Sequence, residues 1–242
     1  MRFKRDILVF FCACGDDVER CCTIVEGLVV KNVDGLAVVA PSTLEKDDSL
    51  TKTLHTVQDN GVPLVLLDRA VYSIFSDFVT TDNKYGGRAA AEKLVQAGAK
   101  QIGCILGPAQ AIRTKSAIRV FRKVLPSSRH ITGNRMFFTE ALPRNLGAPR
   151  LKRVCTGCDG FFVENDRMAK GVLAAAKEKG IHIGENCKFA VYDYEGTENV
   201  ISVRQNLSLM AEKAVDRLIE RIEEPEKLMP AGNFYITPLV EN

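Results

Sequence analysis

The 242-residue sequence has no apolar run approaching the roughly 20 residues that span a bilayer, so no membrane-crossing helix is expected. Its opening stretch, MRFKRDILVFFCACGDDVER, turns acidic and polar too early for the apolar core of a secretory signal, and a cytoplasmic location is the expectation. Charge of one sign is also missing. Lys and Arg number 33 against 30 acids, and a formal net charge of +3 is too small to hold nucleic acid by electrostatics alone. DNA contact would therefore require a segment absent from this chain. No GxGxxG follows a strand pattern, and neither GxxxxGK[ST] nor GxSxG occurs. His55, His130 and His182 stand in polar or terminal contexts, so neither an enzyme nor a cofactor site is expected. The eight cysteines, Cys12, Cys14, Cys21, Cys22, Cys104, Cys155, Cys158 and Cys187, lack the paired CxxC framework of a zinc module. They read as reduced thiols that pack as small hydrophobes, with no metal site expected.

What is present is an alternation. Hydrophobic residues make up 46% and charged residues 26%, which suits a soluble globular chain long enough for one large domain or two lobes. DILVFF is followed by a helical pattern from about Val18 to Val30, then GLAVVAP, a helical pattern to Asn60, and VPLVLLD. FVTTD, a helix from about Lys84 to Ala97, QIGCILG, a helix from about Arg113 to Val124, and NRMFFTE come next. GFFVE, a helix to Lys179, KFAVYD and a helix from about Asn206 to Glu223 complete the series. Nearly continuous apolar strands that alternate with helices imply an α/β fold with parallel sheets covered on both faces.

In such sheets the carboxyl ends of the strands converge with helix amino termini and form ligand sites. Polar or turn-forming residues occupy that position at Asp68, Asp82-Asn83, Gly107-Pro108, Asn165-Asp166 and Asp193, which suggests one cleft. Each has an alternative as a helix cap. An Asn165 amide both donates and accepts, and an Asp193 carboxylate takes two hydroxyl donors, chemistry that suits a polyhydroxylated ligand better than a phosphate. Phe162 offers an aromatic face to a ring, or else packs in the core beside Phe161. In the helix after Asn165, Met168, Val172, Leu173 and Ala176 form the apolar face, and Gly180 ends it.

VDGLAVVAP at 33 to 41, GVPLVLLDR at 61 to 69, VTTDNKYGGRAAAEKLVQAGAKQIGCILGP at 79 to 108 and FFVENDRMAKGVLAAAKEKGI at 161 to 181 resemble, in order, the effector-binding core of the lactose-repressor and galactose-repressor family. VYD at 191 to 193 and ISVRQNLSLMAEKAVDRLIERI at 201 to 222 continue the resemblance across nearly the whole chain. It implies two Rossmann-like lobes of the periplasmic-binding-protein-like type I fold. One lobe would comprise residues 1–102 and 203–225, the other 103–193 and 230–242, with crossovers near Ile102, between Asp193 and Val203, and near Pro225 to Pro230. An effector, a carbohydrate or another small polar molecule, would sit between the lobes. By position Asn165 and Asp193 match the family's effector-binding Asn and Asp, Phe162 matches an aromatic pocket position, and Asp82 lies at a further strand end. The family's effector-binding Arg is replaced by Ala117, with Arg113 one helical turn earlier as the substitute.

Compared with that family, the sequence lacks the DNA-binding helix-turn-helix, the hinge helix and the first strand and helix of the amino-terminal lobe. It is accordingly expected to be the amino-terminally truncated, effector-sensing core of a transcriptional regulator, a homodimer that binds and does not catalyse. A stand-alone solute-binding protein and a non-binding dimerisation remnant are the alternatives. Loss of a central strand would leave backbone groups unpaired beside LAVVAP. Pairing of DILVFF directly with LAVVAP is the favoured remedy, and insertion of a strand from another chain is the second.

Overall fold

In the computed structural model the described residues are 7–42, 48–71, 73–106, 138–140, 158–178, 180–185, 187–196, 199–225 and 229–241. They divide into two compact units. The first comprises Met1–Thr80 with Ser208–Tyr235, the second Thr81–Leu207 with Ile236–Asn242. The helix expected over Arg113 to Val124 falls outside the described residues. Among those described, no helix is long and apolar enough to cross a membrane.

The first unit is built on a four-stranded sheet in the order β1 (Leu36–Val39), β2 (Leu64–Leu67), β3 (Asp77–Thr81), β9 (Asn233–Ile236). β1, β2 and β3 are parallel. Helices α1 (Val18–Val30) and α2 (Ser49–Asp59) pack side by side. They bury Cys21, Cys22, Val25, Leu50, Leu54 and Val57 against Leu36, Val38, Leu64 and Leu66. Asp17 caps α1 by accepting from the Arg20 amide at 3.0 Å. The long helix α5 (Leu207–Glu223) passes close to Gly35, just before β1, where a Cβ would stand 2.9 Å from Leu218 Cδ1.

A buried carboxylate ties these separate stretches together. Asp77 is fully buried at the start of β3 and takes hydrogen bonds from Arg217 Nε at 3.0 Å, Arg221 Nε at 2.7 Å and the Gly232 amide at 2.7 Å. Arg217 and Arg221 stand one helical turn apart on α5, so both guanidinium groups reach the same acid. Burial alone would push the Asp77 carboxyl up. The hydrogen bonds from Arg221, Arg217 and Gly232 outweigh it and hold the group below the usual carboxylate range.

DILVFF departs from expectation. Residues 7 to 14 form no strand, and Ile7, Leu8, Val9, Phe10 and Phe11 are 49–95% exposed. The expected pairing with LAVVAP is not made, and among the described residues β1 has β2 as its one neighbouring strand. Burial explains why the gain from such pairing is small. Leu36 and Val38 face α1 and α2, but Ala37 and Val39 on the opposite face are exposed, so an added strand would find cover on one side only.

The second unit carries a six-stranded sheet in the order β10 (Leu239–Glu241), β8 (Ile201–Arg204), β7 (Lys188–Tyr192), β6 (Gly160–Val163), β4 (Ile102–Leu106), β5 (Phe138–Glu140). β10 runs antiparallel to β8 and the other pairs are parallel. Alternation of side chains feeds two cores. Cys104, Leu106, Phe162, Ala190, Tyr192 and Val203 pack with Ala90, Ala91 and Leu94 of α3 (Asn83–Gln96). Ile105, Phe161, Val163, Phe189 and Val191 pack with Ala169 and Val172 of α4 (Asp166–Glu178).

The unit boundaries differ from the expected crossovers because each element belongs with the sheet that buries it. α3, expected before a crossover near Ile102, packs on β6, β7, β8 and β10. Its Gly86 makes this possible, since a Cβ there would lie inside the Tyr192 hydroxyl and 3.0 Å from Cζ. At the other end, β9 joins the first sheet, where the Phe78 amide donates to Gly232 O at 2.9 Å. The expected carboxy-terminal lobe segment 230–242 is therefore split between Tyr235 and Ile236.

Candidate functional site

In the second unit, β6 and β7 are parallel neighbours with Val163 in register with Val191. Asn165 and Asp193 each lie two residues past that pair. Both stand just past the carboxyl ends of adjacent strands, which are about 4.8 Å apart in such a sheet.

The two residues are held differently. Asn165 is exposed, and its Oδ1 accepts from the Met168 amide at 2.9 Å as the cap of α4. The capping reading is thus correct for the oxygen, and the Nδ2 donors are what the residue offers to a ligand. Asp193 adopts a left-handed backbone, φ 55°, which turns the chain sharply out of β7 while its amide donates to Val203 O at 2.9 Å. Its Oδ1 accepts from the Gln205 amide at 2.7 Å and its Oδ2 from Gln205 Nε2 at 2.6 Å. Gln205 Oε1 in turn accepts from Thr81 Oγ1 at 2.9 Å. A carboxylate has about four acceptor positions, so the Gln205 clamp leaves acceptor capacity for hydroxyl donors while fixing the plane of the group.

The remaining expected site residues fare unequally. Asp82 caps α3, its Oδ1 accepting from the Lys84 and Tyr85 amides at 3.1 and 2.9 Å. Phe162 is a core residue, 1% exposed and edge-on to Tyr192 with ring centroids 6.4 Å apart, and its expected role as a pocket wall is corrected accordingly. The reason is strand parity. Phe162 points to the α3 face of a sheet whose faces are both covered, and the aromatic ring satisfies that core. Arg113 lies outside the described residues. Sequence reasoning missed Gln205 and Thr81. Their signal was available as polar residues at strand ends, in VRQ and FVTTD, but nothing linear says that they share one carboxylate.

The first unit has its own polar cluster at the carboxyl edge of its sheet. Asp68, just past β2, is also left-handed at φ 59°, and its carbonyl accepts from Thr80 Oγ1 at 3.0 Å. Asp16 accepts from the Ser42 amide at 2.7 Å and the Ser42 hydroxyl at 2.5 Å, with Arg69 Nη1 at 3.7 Å. Hydrogen bonds from the Ser42 side chain and then its backbone, with Arg69 adding attraction, lower the Asp16 carboxyl against a smaller effect of burial. Arg69 Nη1 also donates to Ala40 O at 2.8 Å.

Residues 9–203 match the family model described as periplasmic binding protein domain. The ribose operon repressor of Escherichia coli strain K12 is 26% identical over 255 residues, an alignment covering 98% of this chain and 72% of the repressor. The HTH-type transcriptional repressor PurR of Haemophilus influenzae strain PittEE is 24% identical over 245 residues, covering 98% and 71%. Among solved structures, a LacI family transcriptional regulator from Enterococcus faecium with bound ribose superposes with a TM-score of 0.75 at 20% identity, over 95% of this chain and 84% of that one. The dimeric Lac repressor superposes at 0.72 and 21% identity, over 93% and 82%. With four-fifths of its length inside the family model, the chain belongs to the periplasmic binding protein domain family, and it shares the fold of these LacI-family cores.

Proposed function

We propose that this chain is the effector-sensing core of a LacI-type transcriptional regulator, that it binds a small polyhydroxylated ligand such as a pentose, and that it performs no catalysis. The observation that carries the reading is that Asn165 and Asp193 follow the carboxyl ends of the neighbouring parallel strands β6 and β7. Donors from one and acceptors from the other match a sugar hydroxyl's need both to give and to receive. Gln205 serves as the clamp that keeps the Asp193 carboxylate aimed. The chain acts as a homodimer whose states differ in affinity for the effector. Only such a difference can shift their populations.

Titration calorimetry with D-ribose and a panel of pentoses, hexoses and purines tests this. Asn165→Ala and Asp193→Ala are each expected to weaken binding by about 1–3 kcal/mol, or roughly 5- to 150-fold. Far-UV circular dichroism should be unchanged. A panel without a binding sugar, or a sugar bound equally by both variants and the wild type, would overturn the reading.

A further inference from the structure

Two residues stand in line behind Asp193. Its Oδ2 accepts from Gln205 Nε2 at 2.6 Å, and Gln205 Oε1 accepts from Thr81 Oγ1 at 2.9 Å. The direction of each bond follows from the chemistry of its ends. A carboxylate only accepts, so the carboxamide must turn Nε2 to Asp193 and Oε1 to Thr81, and the Thr81 hydroxyl must then donate. Thr81 closes β3 and is 1% exposed, which keeps water from taking over that donor.

Thr81 and Gln205 also lie where the chain passes from one compact unit to the other. The passages fall at Thr80–Thr81, Leu207–Ser208 and Tyr235–Ile236. Thr81 opens the second unit at the first passage, and Gln205 stands two residues before Leu207 at the second. Asp82, next after Thr81, donates its amide to Ile236 O at 2.8 Å, at the third. A hydrogen-bond relay that begins on Asp193 therefore ends on the segments that join the units.

We infer that Thr81 is a positioning residue for the effector site: its hydroxyl sets the Gln205 carboxamide, the carboxamide sets the Asp193 carboxylate, and effector occupancy is thereby coupled to the passages between units. The inference rests on the reading of Asp193 as an acceptor for the effector. The terminal torsion of a glutamine is broad and two-fold, so without the Thr81 donor the carboxamide swings and Nε2 leaves Asp193 for part of the time. Donation into Oε1 also polarises the amide and strengthens the bond that Nε2 makes. Such coupling is reciprocal. If the Thr81 bond favours the effector, the bound effector favours the Thr81 bond by the same factor.

Thr81→Val keeps the shape of the side chain and deletes the hydroxyl, whereas Thr81→Ser keeps the hydroxyl. Calorimetry with D-ribose should find binding weakened roughly 3- to 10-fold by Thr81→Val and restored to within about twofold of wild type by Thr81→Ser. Two measurements need no ligand. The NMR signals of the Gln205 Nε2 protons should shift in Thr81→Val and return in Thr81→Ser. Exchange of the Asp82 amide should quicken at least about threefold in both Thr81→Val and Asp193→Ala, with the Phe161 and Phe189 amides of the same sheet unchanged. Gln205 signals that do not move, or Asp82 exchange that ignores Asp193→Ala, would overturn the inference whether or not a sugar binds. So would D-ribose bound equally by wild type and Thr81→Val, and so would a loss that Thr81→Ser does not restore, which would make Thr81 a packing residue. If D-ribose fails to bind the wild type while both ligand-free measurements come out as expected, ribose is refuted as the effector and the relay is supported.

Discussion

Asp77→Asn removes one charge and about half of the acceptor capacity, and puts an NH2 donor in place of one oxygen, in a group with no exposed surface and donors from two arginines and a backbone amide. Breaking a buried, hydrogen-bonded ion pair from one side costs about 3–5 kcal/mol, because the partner charge is left uncompensated. Here the partners keep some contacts. Arg217 still has Glu220, with Nη1 to Oε2 at 2.5 Å, and Arg221 still donates to Met229 O and Pro230 O at 3.4 and 3.3 Å. The lower end, about 3 kcal/mol or a little over a hundredfold in the unfolding equilibrium, is therefore the expectation. Urea denaturation followed by circular dichroism gives the total. Because two compact units need not unfold together, hydrogen exchange at the Phe78 and Val79 amides reports the first unit separately. The sign with pH follows from a folded carboxyl held below its unfolded value. The stabilisation is present above about pH 3.9 and is lost as pH falls through the lowered folded value, a dependence that the Asn variant should lack. A loss below about 1 kcal/mol, within the range of a surface pair, would refute the view that this acid holds α5 and the Gly232 turn to β3.

Gly86→Ala should destabilise the second unit by about 1–3 kcal/mol through overpacking against Tyr192, and Tyr192→Phe in the same chain should recover part of the loss because it removes the hydroxyl that the new methyl meets. Thermal melts of the two single variants and the double variant measure it, and the absence of any recovery would show that the clash is relieved elsewhere. Gln205→Leu should weaken sugar binding less than Asp193→Ala does, since it loosens the carboxylate without deleting it. Calorimetry that finds the Leu variant the weaker of the two would make Gln205 the principal contact. In gel-shift titrations the 242-residue chain alone should show no sequence preference among DNA duplexes, and a salt-resistant shift of one sequence over others would contradict that.

Much of the fold follows from local pattern. The helix read over Val18 to Val30 has those bounds, and α4 buries Val172 and Ala176 with Met168 and Leu173 partly buried beside them, as its apolar periodicity requires. The continuous apolar strands GFFV and KFAVY lie in a sheet covered on both faces because each side of the pleat is hydrophobic. Asn165 and Asp193 could be picked out as strand-end polar residues for the same reason. Tertiary structure alone decided the rest. Whether DILVFF becomes a strand depends on a neighbour and a covered face, which residues 7 to 11 do not contain, and its apolar sequence alone pointed the wrong way. The side of the unit boundary on which α3 falls depends on the fit of Gly86 to a tyrosine more than a hundred positions away. The Asp193 clamp and the Asp77 knot join residues distant in sequence, and hydrogen bonds of that span are fixed by where the sheets bring strand ends together, information that no window of sequence carries.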